Sequence, residues 1–132
     1  MIKGIHHVSM RCRDAGKFAE MKHFYRDVLG LEIVREWEKG FMAKAGNCWL
    51  EIMLGGNVSE ETGIIRHFAF FTDQPDELIE TVRKAGYEII EEPHDICIPS
   101  DPEIPARIAF CRGPLGEEIE FFFDRSENGK RF

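Results

Sequence analysis

His7, Glu51, His67 and Glu120 are the residues whose type and placement could carry chemistry. Each stands as a polar exception on an otherwise apolar, strand-like run. Glu51 is enclosed by Trp49, Leu50, Ile52 and Met53, and Glu120 sits between Ile119 and Phe121. A lone carboxylate in such a run is costly to desolvate, so it calls for a partner. Two imidazoles and two carboxylates converging on one cavity would suit a divalent cation. Nitrogen and carboxylate donors admit Zn, Ni, Co, Fe or Mn without a sharp choice among them. Taken singly, each residue has an ordinary role: a strand histidine commonly packs in a core or at an edge, and a glutamate on an open strand face is commonly solvated. Their recurrence at matching places in a repeat brings the metal site level with those ordinary roles.

The elements that must position them repeat along the chain. Ile5–Cys12 alternates, with His7, Ser9 and Arg11 pointing one way and Val8, Met10 and Cys12 the other, the period of a half-buried strand. Asp14 offers an N-cap, and Phe18, Met21, Tyr25, Val28 and Leu29 recur at helical spacing before Gly30 stops the helix. Leu31–Glu36, Gly40–Ala45 and Cys48–Leu54 follow as strands separated by turn signals. The second half restates this order. Arg66–Thr72 alternates, Asp73 is the expected cap of a helix with Pro75 in its first turn, and Gly86 ends that helix. Strands are expected at Tyr87–Glu91, Ala106–Cys111 and Glu117–Phe123. The stretch Pro93–Pro105, with four prolines and bearing His94 and Cys97, reads as an irregular loop, either a functional one covering the cavity or a merely irregular connection. The chain therefore divides into two βαβββ modules, about residues 4–55 and 64–124, forming one domain over 1–124 with a tail at 125–132.

Composition narrows the function classes. With 17 basic against 24 acidic residues the net charge is −7, and no Lys/Arg run is present, which argues against a nucleic-acid partner. No apolar stretch approaches the ~20 residues that span a bilayer. The four cysteines are scattered without a C-x-x-C pair, and the first residues lack a secretory pattern, so a cytoplasmic protein is expected.

The order of phrases resembles the vicinal oxygen chelate superfamily, and within it the glyoxalase I (lactoylglutathione lyase) branch. The likeness covers Gly4 to Asp124. It is carried by Ile5-His6-His7-Val8 with Asp14, by Phe24-Tyr25-Arg26-Asp27-Val28-Leu29-Gly30-Leu31, and by Trp49-Leu50-Glu51. Further on, His67-Phe68-Ala69-Phe70 with Asp73 and the closing Gly113-Pro114-Leu115-Gly116-Glu117-Glu118-Ile119-Glu120 complete it, Gly113 standing where the family has Asp.

The resemblance implies an α+β fold of the glyoxalase/bleomycin resistance/dioxygenase type, two βαβββ modules forming a curved sheet around a metal cavity. Carried over by position, the metal ligands are His7, Glu51, His67 and Glu120; family spacing prefers His7 to His6 and Glu120 to Glu117 or Glu118, although alternation puts Glu118 on the face of Glu120. The implied activity is that of a metal-dependent carbon–sulfur lyase or isomerase. It acts on a hemithioacetal or related α-oxygenated carbonyl through an enediolate, with Glu120 as first choice of base and Glu51 as its counterpart. Glu51 separates this pattern from fosfomycin-modifying relatives. Epimerisation of an acyl-CoA is the enzymatic alternative, and a non-catalytic small-molecule-binding or resistance protein the other. Short glyoxalases imply Ni or Co as well as Zn, and a homodimer whose sites combine His7/Glu51 of one chain with His67/Glu120 of the other. Arg11 stands where glyoxalases commonly meet a glutathione carboxylate, whereas Gly55 and Gly63 depart from that pattern, leaving the thiol open. Trp49 and Phe122 share strand faces with Glu51 and Glu120 and are candidate pocket linings, with core packing the other reading.

Overall fold

A computed structural model describes residue 1, residues 5–56, 65 and 67–127, and residue 129. Gly63 and Arg66 of the expectations above lie outside the described residues. The chain divides into two compact units, residues 1–61 and 62–132.

In the first unit, β1 (His7–Cys12) leads to α1 (Ala15–Lys22), continued by a π-helical turn over His23–Val28. Asp14 caps the helix as expected, its carboxylate accepting from the Lys17 N–H at 2.8 Å. The helical pattern runs on to Gly30, but its last turn is wide: the Leu29 N–H bonds to the Phe24 carbonyl. This turn carries the consecutive residues Phe24 and Tyr25, both fully buried, with their rings edge-on at 5.0 Å. Gly30, at φ +74°, then ends the element. The strands β2 (Glu32–Trp37), β3 (Gly40–Ala45) and β4 (Cys48–Leu54) follow. They pair in the order β1-β4-β3-β2, with β1 and β4 parallel and the others antiparallel.

The second unit repeats the plan with β5 (Phe68–Phe71), α2 (Pro75–Lys84), β6 (Ile89–Ile98), β7 (Ile104–Arg112) and β8 (Glu118–Asp124). Its sheet order is β5-β8-β7-β6, again with the first and last strands parallel. Both units are thus βαβββ modules, and the α+β class holds.

Alternation sorts each sheet into two faces. Cys12, Phe41, Ala43, Leu50 and Ile52 of the first sheet are buried along with Met21, Phe24 and Tyr25 of the helical segment. The corresponding set in the second unit is Ala109, Cys111, Ile119 and Phe121 with Ile79 and Val82 of α2. The opposite faces carry the polar residues discussed below.

Two expectations are corrected. Asp73 does not cap α2: Pro75 occupies the first helical position, so Gln74 becomes the capping residue and Thr72 Oγ1 accepts from the Gln74 N–H at 3.0 Å. Nor is Pro93–Pro105 an irregular loop, because β6 and β7 pair through it, down to Ile98 opposite Ile104. The prolines are tolerated because none must donate to a continuous ladder. Pro93 falls in the register shift between Glu91 and His94, Pro99 and Pro102 lie in the turn, and Pro105 lies beyond the last β7–β8 pair, Ala106 with Asp124. Past β8, the expected tail begins with Arg125, whose N–H bonds to the Pro105 carbonyl and whose guanidinium reaches Asp95.

Candidate metal centre

In the second unit, β5 and β8 lie side by side with Ala69 opposite Glu120. His67, immediately before β5, therefore falls on the same face as Glu120, and its Nε2 lies 3.1 Å from Glu120 Oε2. The edge of the Phe110 ring meets the imidazole at a centroid distance of 5.2 Å. Glu120 is 8% exposed, the one charged residue among the described residues that is buried. Burial pushes its carboxyl above the ordinary carboxylate range; the charge and hydrogen bond of His67 pull it back, and Glu91 pushes it up again.

The first unit carries the matching arrangement in looser form. His7 stands opposite Trp49 and Ser9 opposite Glu51 on the parallel strands β1 and β4. Ser9 Oγ donates to Glu51 Oε1 at 2.9 Å. The His7 and His6 rings meet through their Nδ1 atoms at 3.0 Å, and His6 in turn packs edge-on to Trp49. Arg11, on the same face, donates from Nη1 to the Gly55 carbonyl at 3.2 Å. A Cβ on Gly56 would come within 2.5 Å of that same nitrogen. Arg11 thus lies folded over the glycine pair that ends β4. Trp49 is half-buried with the Arg35 guanidinium above it, and half-buried Phe122 stands two residues from Glu120 on β8.

Each unit therefore brings together one imidazole and one carboxylate on one face of its parallel strand pair. The 3.1 Å separation of His67 and Glu120 is that of a direct ion pair, and it sets side by side one nitrogen and one oxygen donor of the types that divalent ions take. The donor chemistry fits a divalent ion. Among the described residues, no group of three or more His, Cys, Asp or Glu side chains forms a metal-holding cluster; the donors come in pairs.

Arg35 and Glu91 were not singled out by the sequence pattern, and His94 was expected only on an irregular loop. Arg35 shares a cross-strand row with Glu51 through Met42, and Glu91 shares one with Glu120 through Phe110. His94 Nε2 lies 3.1 Å from Glu91 Oε1. A register shift precedes Arg35 and another precedes Glu91, and each is announced in sequence by an apolar doublet, Ile33-Val34 and Ile89-Ile90, that breaks the alternation.

The model of the Glyoxalase/Bleomycin resistance protein/Dioxygenase superfamily matches residues 4–121. The chain belongs to this superfamily. Among solved structures, a glyoxalase/bleomycin resistance protein/dioxygenase from Alicyclobacillus acidocaldarius is 17% identical with a TM-score of 0.71, covering 96% of this chain and 95% of its own. Lactoylglutathione lyase from Agrobacterium tumefaciens is 19% identical with a TM-score of 0.69, covering 93% and 95%. Fosfomycin resistance protein FosX from Mesorhizobium loti is 21% identical with a TM-score of 0.70 and full coverage of both chains. At these identities the likeness establishes the superfamily fold. No curated protein matches the sequence. Among the described residues, no helix is long and apolar enough to cross a membrane.

Proposed function

We propose that this superfamily member is a metal-dependent, glyoxalase I-like lyase or isomerase. Its substrate is a hemithioacetal or related α-oxygenated carbonyl, converted through an enediolate. The observation that carries the reading is the side-by-side placement of the His67 imidazole and the Glu120 carboxylate, together with its counterpart His7 and Glu51 in the first unit. The four residues would hold the ion, Ni, Co or Zn first and Fe or Mn next, and a homodimer joining His7/Glu51 of one protomer to His67/Glu120 of its partner completes the set.

Bound there, a divalent ion supplies Lewis-acid stabilisation for charge developing on two vicinal oxygens. Glu120 takes the carbon-bound proton, its buried position keeping water from the carboxylate, and Glu51 serves as the counterpart on the other side of the substrate. Ser9 orients Glu51 through its hydroxyl. Return of the proton to the neighbouring carbon gives isomerisation, and return to the same carbon gives epimerisation. Trp49, Phe122 and Arg11 border the substrate.

The test is metal content combined with proton exchange. Purified protein is expected to carry a divalent ion, to lose affinity for it on His67→Ala, and to exchange the carbon-bound proton of a hemithioacetal in deuterated water. Exchange into a chiral acyl-CoA alone would replace the isomerase with an epimerase. Absence of exchange into either would make the chain a binding protein.

A further inference from the structure

The open face of the β1-β4-β3-β2 sheet holds an arginine that the proposed chemistry does not use. Register places Ser9, Glu51, Met42 and Arg35 in one row across the four strands. Residues in such a row point to one face, so Arg35 stands on the face of Glu51. The register shift between Ile33 and Arg35 puts it there. Without the extra residue, Val34 would oppose Met42, and Arg35 would turn toward the buried face of Phe41.

The guanidinium carbon lies 5.5 Å from the centroid of the Trp49 ring. Among the described residues, Arg35 has no carboxylate partner. Arg26, Arg83, Arg107, Arg112 and Arg125 all have one. With 24 acidic residues in the chain, the lack does not reflect a shortage of carboxylates. The equivalent bulge in the second unit delivers Glu91 to the row of Glu120. One strand position thus carries a cation in one half of the repeat and an anion in the other.

We propose that Arg35 is the receptor for an anionic group, carboxylate or phosphate, on the substrate. The inference rests on the assignment of Glu51 to the reaction site. A planar guanidinium forks onto such oxyanions with two parallel hydrogen bonds, and a stacked indole holds the fork in place beforehand. Two strand spacings separate the backbones of Glu51 and Arg35, about 10 Å, and the long arginine side chain brings its fork within a small molecule's length of the Glu51 carboxylate. Arg11 is directed to the Gly55 carbonyl instead.

Because Arg35 covers Trp49, tryptophan fluorescence of metal-free protein reports anion binding independently of turnover. Titration at constant ionic strength with inorganic phosphate, and separately with 3-mercaptopropionate, is expected to saturate. Binding should weaken at least tenfold in Arg35→Gln, less in Arg35→Lys, and not in the charge-matched Arg26→Gln; the stronger of the two probes identifies the anion class. A titration that does not saturate, or that Arg35→Gln leaves unchanged, overturns the proposal. In turnover, Arg35→Gln should raise KM about tenfold for the hemithioacetal of methylglyoxal with 3-mercaptopropionate, with kcat within twofold and the 2-mercaptoethanol adduct unaffected. Equal effects on both adducts would overturn substrate recognition by Arg35. Anion binding without turnover of either adduct would remove the enzymatic reading and leave the receptor in place. Turnover without anion binding would do the reverse.

Discussion

The imidazole of His67 and the carboxylate of Glu120 meet at 3.1 Å across the parallel strands β5 and β8, with the carboxylate nearly buried and the imidazole open. The exposed imidazole leaves the pair open to a ligand on its own side. Glu118, on the same face, sits 4.0 Å from Arg112 instead. Glu120→Gln should lower turnover by about 10³-fold, the scale of a lost general base, and weaken divalent-ion binding. Glu118→Gln should leave both within a small factor. Parallel metal titrations and rate measurements on the two variants decide which carboxylate serves.

Adjacent positions on β3 separate the two faces of the first sheet. Phe41 is fully buried, its ring 5.6 Å from that of Phe18, while Met42 belongs to the open row of Glu51. Phe41→Ala should cost about 3–5 kcal/mol of unfolding free energy. Met42→Ala should cost about 1 kcal/mol or less, and chemical denaturation distinguishes them.

Gly40 lets an indole lie flat on the sheet. A Cβ there would stand 2.2 Å from Trp37 Cζ2, so Gly40→Ala must displace the ring. The expected result is a red-shifted tryptophan emission with a stability loss of about 1 kcal/mol.

Acid should loosen the second unit through the tie between α2 and β7. Arg107 grips both oxygens of Asp76, at 2.6 and 2.7 Å, and holds its carboxyl below the ordinary range. A depressed carboxyl stabilises the fold above its unfolded pKa of about 4 and loses that contribution as pH falls through the lower folded value. Wild type should therefore be more stable than Asp76→Asn at pH 7, and the two should converge in strong acid. Thermal melts across pH check this.

Alternation and helix signals were enough to outline the repeat where a strand has one face more buried than the other: on β1, His7, Ser9 and Arg11 are exposed and Cys12 is buried, as their spacing required. The candidate donors were legible for the same reason, being polar breaks in apolar runs. Arg35 and Glu91 were not, since a bulge moves a residue from one face to the other and an alternation count cannot follow it. The β6–β7 hairpin was hidden by proline composition; the prolines fall where no ladder donor is needed, which is a property of register and not of residue type. Asp73 gave way because the proline after Gln74 fixed the helix start.

Parallel pairing of first and last strands has a consequence for how the chain acquires its chemistry. Ser9 and Glu51, 42 residues apart, meet only once a loop of that length has closed, and such non-local contacts form more slowly than local ones. The same order applies where β5 meets β8. Each imidazole–carboxylate pair therefore needs the last strand of its own unit: a nascent chain that ends before β4 lacks Glu51, and one that ends before β8 has Glu51 but lacks Glu120.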